Sequence, residues 1–263
     1  MYQYITFFVL AISAGFLFSI VKASKVNIRR VLLFTANLFV LVLFYNSYIQ
    51  DLLIYIVYIA IVIYLYLLST RIKAPNQLHI PVILLILIPL ILNKLHIDLT
   101  FDFWLFIGLS YVTFRNITLI FDIKHRAIKT LNIFDYLNYV YFFPTLISGP
   151  IDRYSRFVQD FIEPQPVPSL YVKAFNFLLA GLAFKFVFAA HLGQALVSIE
   201  SWSIINVNVE YMYLYTAYLY FDFAGYSMMA VSLSYFFGIR TMENFDYPFL
   251  AKNIQDFWKR WHI

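Results

Sequence analysis

Seven stretches of the chain are apolar for long enough to cross a bilayer core, which takes about 20 mainly apolar residues in a helix. They are residues 2–21, 31–50, 52–69, 78–95, 103–123, 171–192 and 211–237. The runs are long and unbroken, whereas a membrane β-barrel would show alternating segments of about 10 residues. The pattern predicts an all-α fold, a polytopic transmembrane helix bundle of about seven spans. The stretch IFDYLNYVYFFPTLISGP, inside 131–169, is apolar but short and carries Pro144, Gly149 and Pro150. A helix pair or re-entrant segment, buried in protein, suits it better than a full crossing. EPQPVP (163–168) reads as a stiff loop inside one domain that covers 1–263. The first run lacks a basic region before it and a small-residue cleavage site after it, so it is read as a retained helix.

The polar loops between the runs alternate in charge. Lys22, Lys25, Arg29 and Arg30 follow the first run, Asp51 the second, and Arg71 and Lys73 the third. Lys94 stands against Asp98 and Asp102 after the fourth, and Lys124, Arg126 and Lys129 follow the fifth. With the N-terminus outside, the positive-inside rule is met five times in succession. The 131–169 segment then begins and ends in the cytoplasm, the loop with Glu200 and Glu210 lies outside, and the tail 238–263 is cytoplasmic.

Composition strengthens this picture. The chain is 62% hydrophobic and 13% charged, against about 25% charge in soluble domains. Its 29 phenylalanines and 22 tyrosines suit lipid-facing helices with interfacial tyrosine. The expected location is the cell membrane, in multi-pass form, with lipid as a partner and no nucleic acid. The absence of cysteine excludes disulfides, thiolate catalysis and cysteine-based metal sites. His79, His96, His125 and His191 show no metal-binding spacing, so no metal is expected.

Ionisable groups inside spans are functional candidates by default. Arg115 in SYVTFRN, Lys185 in AFKFVF and Asp222 in YFDFAGYS are three such groups. Lys185 and Asp222 fall about halfway along consecutive antiparallel spans and are placed to pair; a structural ion pair or a snorkelling side chain is the other reading. Ser110, Tyr111, Thr113 and Asn116 gather around Arg115 and point it at an interior cavity. At the far end, Ile254, Phe257, Trp258 and Trp261 follow helical spacing on one face, with Asp256 and Arg260 as i, i+4 partners opposite. This describes an interfacial helix. His262 comes beside its aromatic face, as a general base or as a satisfied interface histidine.

Three stretches carry a resemblance: GLSYVTFRNITLIFDI (108–123), FFPTLISGPIDRYSRF (142–157) and YLYFDFAGYSMMAVSLSYFFGIRTMENFDYPFLAKNIQDFWKRWHI (218–263). In that order and spacing the chain resembles the membrane-bound O-acyltransferase family. SGPIDRYSRF, with Asp152 and Arg153 after Gly-Pro-Ile, most resembles the branch that transfers D-alanine to teichoic acids; the polysaccharide O-acetyltransferase branch is the alternative.

The resemblance implies a ring of helices around a thin centre, with a cytoplasmic funnel for the acyl donor and an outer opening for the acceptor. The donor would be a thioester on the phosphopantetheine arm of a small D-alanyl carrier protein, with no cofactor bound by this chain. The acceptor would be lipoteichoic acid outside the cell, with help from other proteins of the D-alanylation pathway. The family's Trp-His-x-Ser motif falls on Trp261 and His262, which makes His262 the catalytic candidate, with Trp261, Arg115, Asp222, Lys185, Asp152 and Arg153 as channel or support residues. The family's second histidine lies on a later helix that this chain does not contain. The chain is therefore expected to be an N-terminal portion, inactive alone. Lys124, Arg126, Lys129, Lys259 and Arg260 would attract an acidic carrier, unless they reflect positive-inside bias alone. Two readings of another class remain: a non-catalytic membrane scaffold, or a transporter. The lack of repeat-related halves counts against the transporter.

Overall fold

The apolar runs fold as helices whose ends follow local rules. The computed structural model describes residues 11–15, 18, 26–45, 49–71, 75–95, 108–128, 131–147, 149–162, 167–200 and 207–261. Its helices are α1 (Val26–Tyr45), α2 (Ile49–Arg71), α3 (Pro75–Lys94), α4 (Leu109–Lys124), α5 (Ile133–Val140), α6 (Tyr154–Ile162), α7 (Val167–Leu182), α8 (Ala190–Glu200), α9 (Val207–Phe236) and α10 (Ile254–Arg260). Among the described residues there is no β-strand, only an isolated bridge between Phe245 and Trp261. Proline opens α3 at Pro75 and sits in the first turn of α7 at Pro168, where its missing N–H has no helical acceptor to lose. Asn132 caps α5 by accepting from the N–H groups of Phe134 (2.9 Å) and Asp135 (3.3 Å).

Among the described residues, two helical stretches are long and apolar enough to cross a membrane, Val26–Leu43 and Pro168–Ser198; Leu52–Leu67 and Leu78–Lys94 are shorter apolar helices. The expected first span falls largely outside the described residues, of which 11–15 are helical. Lys22, Lys25, Lys73, His96, Asp98, Asp102 and Lys129 also lie outside them. The second run begins earlier than hydropathy places it, because Arg29 and Arg30 belong to α1 and not to a loop. The reason is tertiary: Arg30 donates twice to the Asp135 carboxylate on α5, at 2.6 and 2.8 Å, and Arg29 is buried. Glu210 likewise lies inside a helix, the first turn of α9.

Contacts divide the chain into two compact units. One contains Met1–Ile20, Ser148–Pro150 and Pro164–Ile263, the other Val21–Ile147 and Ile151–Glu163.

In the second of these, α2 packs on α3, α3 on α4, and the short pair α5 and α6 packs on α1 and α4. Pro89 sits inside α3 and cannot donate to the carbonyl of Leu85. The Tyr58 hydroxyl on α2 donates to that carbonyl instead, at 2.7 Å, as a backbone group in an apolar setting requires. Helices α5 and α6 have eight and nine residues. At about 1.5 Å per residue neither covers half of a ~30 Å hydrocarbon core. The 131–169 segment is a helix pair, as its prolines and glycine suggest. Phe39, Leu43, Val57, Tyr64 and Leu65 stand exposed on α1 and α2, an apolar exterior that water would penalise.

In the other unit, α7 runs through a seven-residue π-helical stretch, Ala183–Ala189, into α8, and α9 packs against all three. The crossing is close because of two glycines. A Cβ on Gly225 would come within 2.8 Å of the Lys185 backbone nitrogen, and one on Gly181 within 2.9 Å of the Gly225 carbonyl oxygen. Small residues at a helix crossing let backbones approach this way.

Candidate functional site

Arg115 shows how a buried cation can be satisfied without a carboxylate. It is fully buried on α4. Nη1 donates to the carbonyls of Val140 (2.9 Å) and Tyr139 (3.1 Å), and Nη2 to the carbonyl of Thr145 (2.6 Å) and its hydroxyl. These oxygens come from the end of α5 and the turn after it, whose carbonyls lack helical partners. The expected interior cavity is not what Arg115 meets: carbonyl oxygens fill the space in front of its guanidinium. Asn116, beside it, is held by the Val112 carbonyl and accepts from the Tyr136 hydroxyl at 2.9 Å. The turn is further tied to α1, where the Asn37 side chain donates to Asn138 and accepts from the Phe143 N–H, each at 3.1 Å. Gly108, at φ +86°, precedes α4, and a Cβ there would lie 2.6 Å from the Leu146 carbonyl oxygen.

Asp152 and Arg153 separate in role. Asp152 is buried; its carboxylate pairs with Arg156 and accepts from the Arg153 N–H at 2.8 Å. Its carbonyl accepts from the Tyr139 hydroxyl at 2.6 Å, so Tyr139, whose own carbonyl faces Arg115, links Asp152 to that guanidinium. The Arg153 side chain is exposed. Lys124 leans on the His79 ring nitrogen at 3.0 Å.

Lys185 and Asp222 do meet. The ammonium pairs with the Asp222 carboxylate from within the π-helical stretch and lies 4.1 Å from the centre of the Tyr226 ring. A π-turn inserts a residue and re-aims the side chains beside it, a device frequent at functional sites.

The third cluster surrounds Trp261. Helix α10 ends one residue short of it: Trp261 is extended (φ −98°, ψ 117°) and donates its N–H to the Phe257 carbonyl at 3.0 Å. The single apolar face expected from the sequence is therefore split. Phe257 and Trp261 stack at 5.4 Å and join Tyr220 of α9, Phe245 and Phe249, while Ile254 and Trp258 stay exposed, Trp258 meeting the cluster only edge-on at Phe257, at 5.3 Å. The segment is cross-tied. Asn253 caps α10 by accepting from the Asp256 N–H (2.8 Å), Asp256 accepts from the Lys252 N–H (3.1 Å), and Arg260 reaches Asp256 (2.9 Å) and Asp246 (3.4 Å). The Lys252 N–H and then the Arg260 guanidinium hold the Asp256 carboxyl below the usual range, and Asp256 raises Arg260 in return. Residue 262 thus follows a residue whose backbone and ring are both held. His262 itself lies outside the described residues.

Beside these rings, Tyr213, Thr216, Ala217, Tyr220, Phe221 and Phe249 line an apolar hollow of about 280 Å³. The Asn244 amide is buried nearby in sequence, with neither end hydrogen-bonded among the described residues. Sequence reasoning missed Asn244, Tyr220 and the Arg30–Asp135 pair. Only the last left a signal, since Asp135 and Asn138 are three apart on a short apolar helix and share a face.

The chain is 40% identical over 173 residues to a teichoic acid D-alanyltransferase of Bacillus subtilis, covering 60% of this chain and 42% of that protein. With a teichoic acid D-alanyltransferase of Streptococcus thermophilus the identity is 35% over 194 residues, 68% of this chain and 46% of the relative. A protein named as a probable alginate O-acetylase, from Pseudomonas aeruginosa, is 36% identical over 162 residues, 60% of this chain and 31% of its own length. The chain spans less than half the length of each of these relatives. The model of the membrane-bound O-acyltransferase family matches residues 90–263, the part that contains α4 to α10, and on that match the chain belongs to the membrane-bound O-acyltransferase family.

Proposed function

We propose that the protein serves in passing D-alanine from a thioester on the phosphopantetheine arm of a carrier protein to lipoteichoic acid outside the cell. The observation that carries this reading is 35–40% identity to three teichoic acid D-alanyltransferases. The chemistry needs no protein nucleophile. The acceptor hydroxyl attacks the thioester carbonyl, the carbon–sulfur bond breaks, and the hydroxyl proton passes by way of a base to the leaving thiolate. A chain without cysteine is suited to that route. His262 is the proposed base or proton donor on this chain. Its immediate neighbour Trp261 supports that role, because a residue held by backbone and ring fixes where the next one starts.

The proposed setting is a multi-pass protein with about seven crossings and the N-terminus outside, so that 238–263 faces the cytoplasm and the carrier. The loop charges and the two long apolar stretches support it. Of the basic groups proposed to attract the carrier, Arg260 is already committed to Asp256 and Asp246, which leaves Lys124, Arg126, Lys129 and Lys259. The second reading, O-acetylation of an exported polysaccharide, is favoured by the alginate O-acetylase relative. Deleting the protein from its cell separates the two. Loss of D-alanine ester from teichoic acid with O-acetyl groups unchanged is the expected result, and the reverse pattern would replace the first reading with the second. In the enzyme within its cell, His262→Ala should lower D-alanine ester at least tenfold without changing membrane insertion; unchanged ester would leave His262 an interface residue.

A further inference from the structure

The segment that holds Trp261 has two sides: one is packed into the ring cluster, and the other stays exposed, with Trp258 touching the cluster only edge-on at Phe257. Tyr247 is 71% exposed, Leu250 74%, Ile254 71% and Trp258 63%. Ile254 and Trp258 are i, i+4 on α10 and share a face, and Leu250 closes the 3-10 turn Pro248–Leu250 that packs against this helix. The opposite side is already filled, by Phe257 and Trp261 against Phe249, Phe245 and Tyr220. The outward side is thus a second apolar surface, held rigidly by the Asn253 cap and the Asp256–Arg260 pair.

Its charges outside ion pairs have one sign among the described residues. Lys252 and Lys259 are exposed beside the apolar group, and neither is in an ion pair among the described residues. The nearby acids are taken: Asp256 and Asp246 by Arg260, and Glu243 by Lys173 at 2.9 Å. Exposed Leu, Ile and Trp with flanking lysines is the composition of a helix lying in a headgroup layer. It is unlike a protein-docking patch, where lysine is depleted and arginine enriched. Tryptophan and tyrosine are also the residues that settle at that depth.

We infer that residues 247–259 form a seat for an anionic membrane surface. Leu250, Ile254 and Trp258 lie at the acyl boundary, Tyr247 lies at headgroup level, and Lys252 and Lys259 meet lipid phosphates, which takes Lys259 out of the set of cations left to attract the carrier. The seat would fix the height of α10, and through Trp261 the height of residue 262, relative to the bilayer. It does not depend on which acyl group is transferred. That the leaflet is the cytoplasmic one rests on the topology proposed above.

The test uses the protein in nanodiscs of mixed phosphatidylcholine and phosphatidylglycerol. The Trp258 signal is the fluorescence difference between the protein and Trp258→Phe. Lipids brominated near the top of the acyl chain should quench that signal, and aqueous iodide should not. Each lysine near an anionic surface favours it about fivefold. Brominated phosphatidylglycerol should therefore act at about one fifth of the mole fraction needed for brominated phosphatidylcholine, or less. The double variant Lys252→Gln, Lys259→Gln should bring the two lipids together. Quenching by iodide alone would overturn the inference and make this a free surface for a soluble partner. Protection from both quenchers would overturn it in favour of a covering protein or second copy, and equal quenching by the two lipids in the unmodified protein would refute the anionic seat. Because the chain has no cysteine, a nitroxide on Ile254→Cys measures depth independently. Greater access to a water-soluble relaxant than to oxygen would refute the seat even if Trp258→Phe failed to fold.

Discussion

Replacing Arg115 with methionine removes a buried cation and leaves its acceptors behind. Three carbonyls lose their donor: Tyr139, Val140 and Thr145, now at 3.1, 2.9 and 2.6 Å. Hydrogen bonds to a charged group contribute about 1.5–3 kcal/mol each, so the gross loss is roughly 4.5–9 kcal/mol. Against that, the guanidinium no longer has to be kept out of water. A buried carbonyl left without a donor costs about 1–3 kcal/mol, and three of them, less the relieved desolvation, place the net loss at about 3–5 kcal/mol. For a chain of this size that lowers the unfolding midpoint by roughly 6–20 °C. The assay is the temperature at which half the protein survives as a monodisperse peak in mild detergent. Arg115→Lys separates charge from geometry, because an ammonium cannot fork across the end of α5 and the following turn; its midpoint should fall between the other two. An Arg115→Met midpoint within 2 °C of the unmodified protein, as an order-of-magnitude threshold, would refute the reasoning and show that the turn satisfies its own carbonyls.

The other predictions concern single contacts. Gly108→Ala forces a side chain into a left-handed conformation and against the Leu146 carbonyl oxygen, and should cost at least about 2 kcal/mol by the same assay; a neutral result would mean the start of α4 can move. Asp222→Asn or Lys185→Met alone should destabilise more than the double variant Lys185→Met, Asp222→Leu, with a coupling of about 1–3 kcal/mol. Additive losses would show that the two do not act as a pair. The Asp256 carboxyl is held low by the Lys252 N–H and Arg260. Its contribution is therefore present above the ordinary aspartate value and is lost as pH falls through the lowered one. Near-ultraviolet circular dichroism of the ring cluster should weaken across that acid window, and Asp256→Asn should show the weakened signal already at neutral pH.

Long-range partners explain which features were legible in the chain and which were not. The helices were legible, because an unbroken apolar run satisfies its backbone within itself, and so α2, α3, α7 and α9 fall close to their hydropathic runs. The helix pair at 133–162 was legible from Pro144, Gly149 and Pro150. The Lys185–Asp222 pairing was legible from matched depth on consecutive helices, and the Asp256–Arg260 pair from i, i+4 spacing alone. Family membership was legible from three motifs. Arg115 was visible as an anomaly, but its partners were not, since the carbonyls of 139–145 converge only after α5 and its turn have folded against α4. The start of α1 was misplaced because Arg30 is drawn into the helix by a carboxylate 105 positions away. At Trp261 a periodic pattern ran past the true end of the helix. Helical spacing joins Trp261 to Ile254 and Trp258, but the ring gains more from Tyr220, Phe245 and Phe249, which no local rule brings near. Tertiary structure thus divided one predicted face into an inner cluster and an outer surface, because packing against distant rings outweighed the last turn of a seven-residue helix.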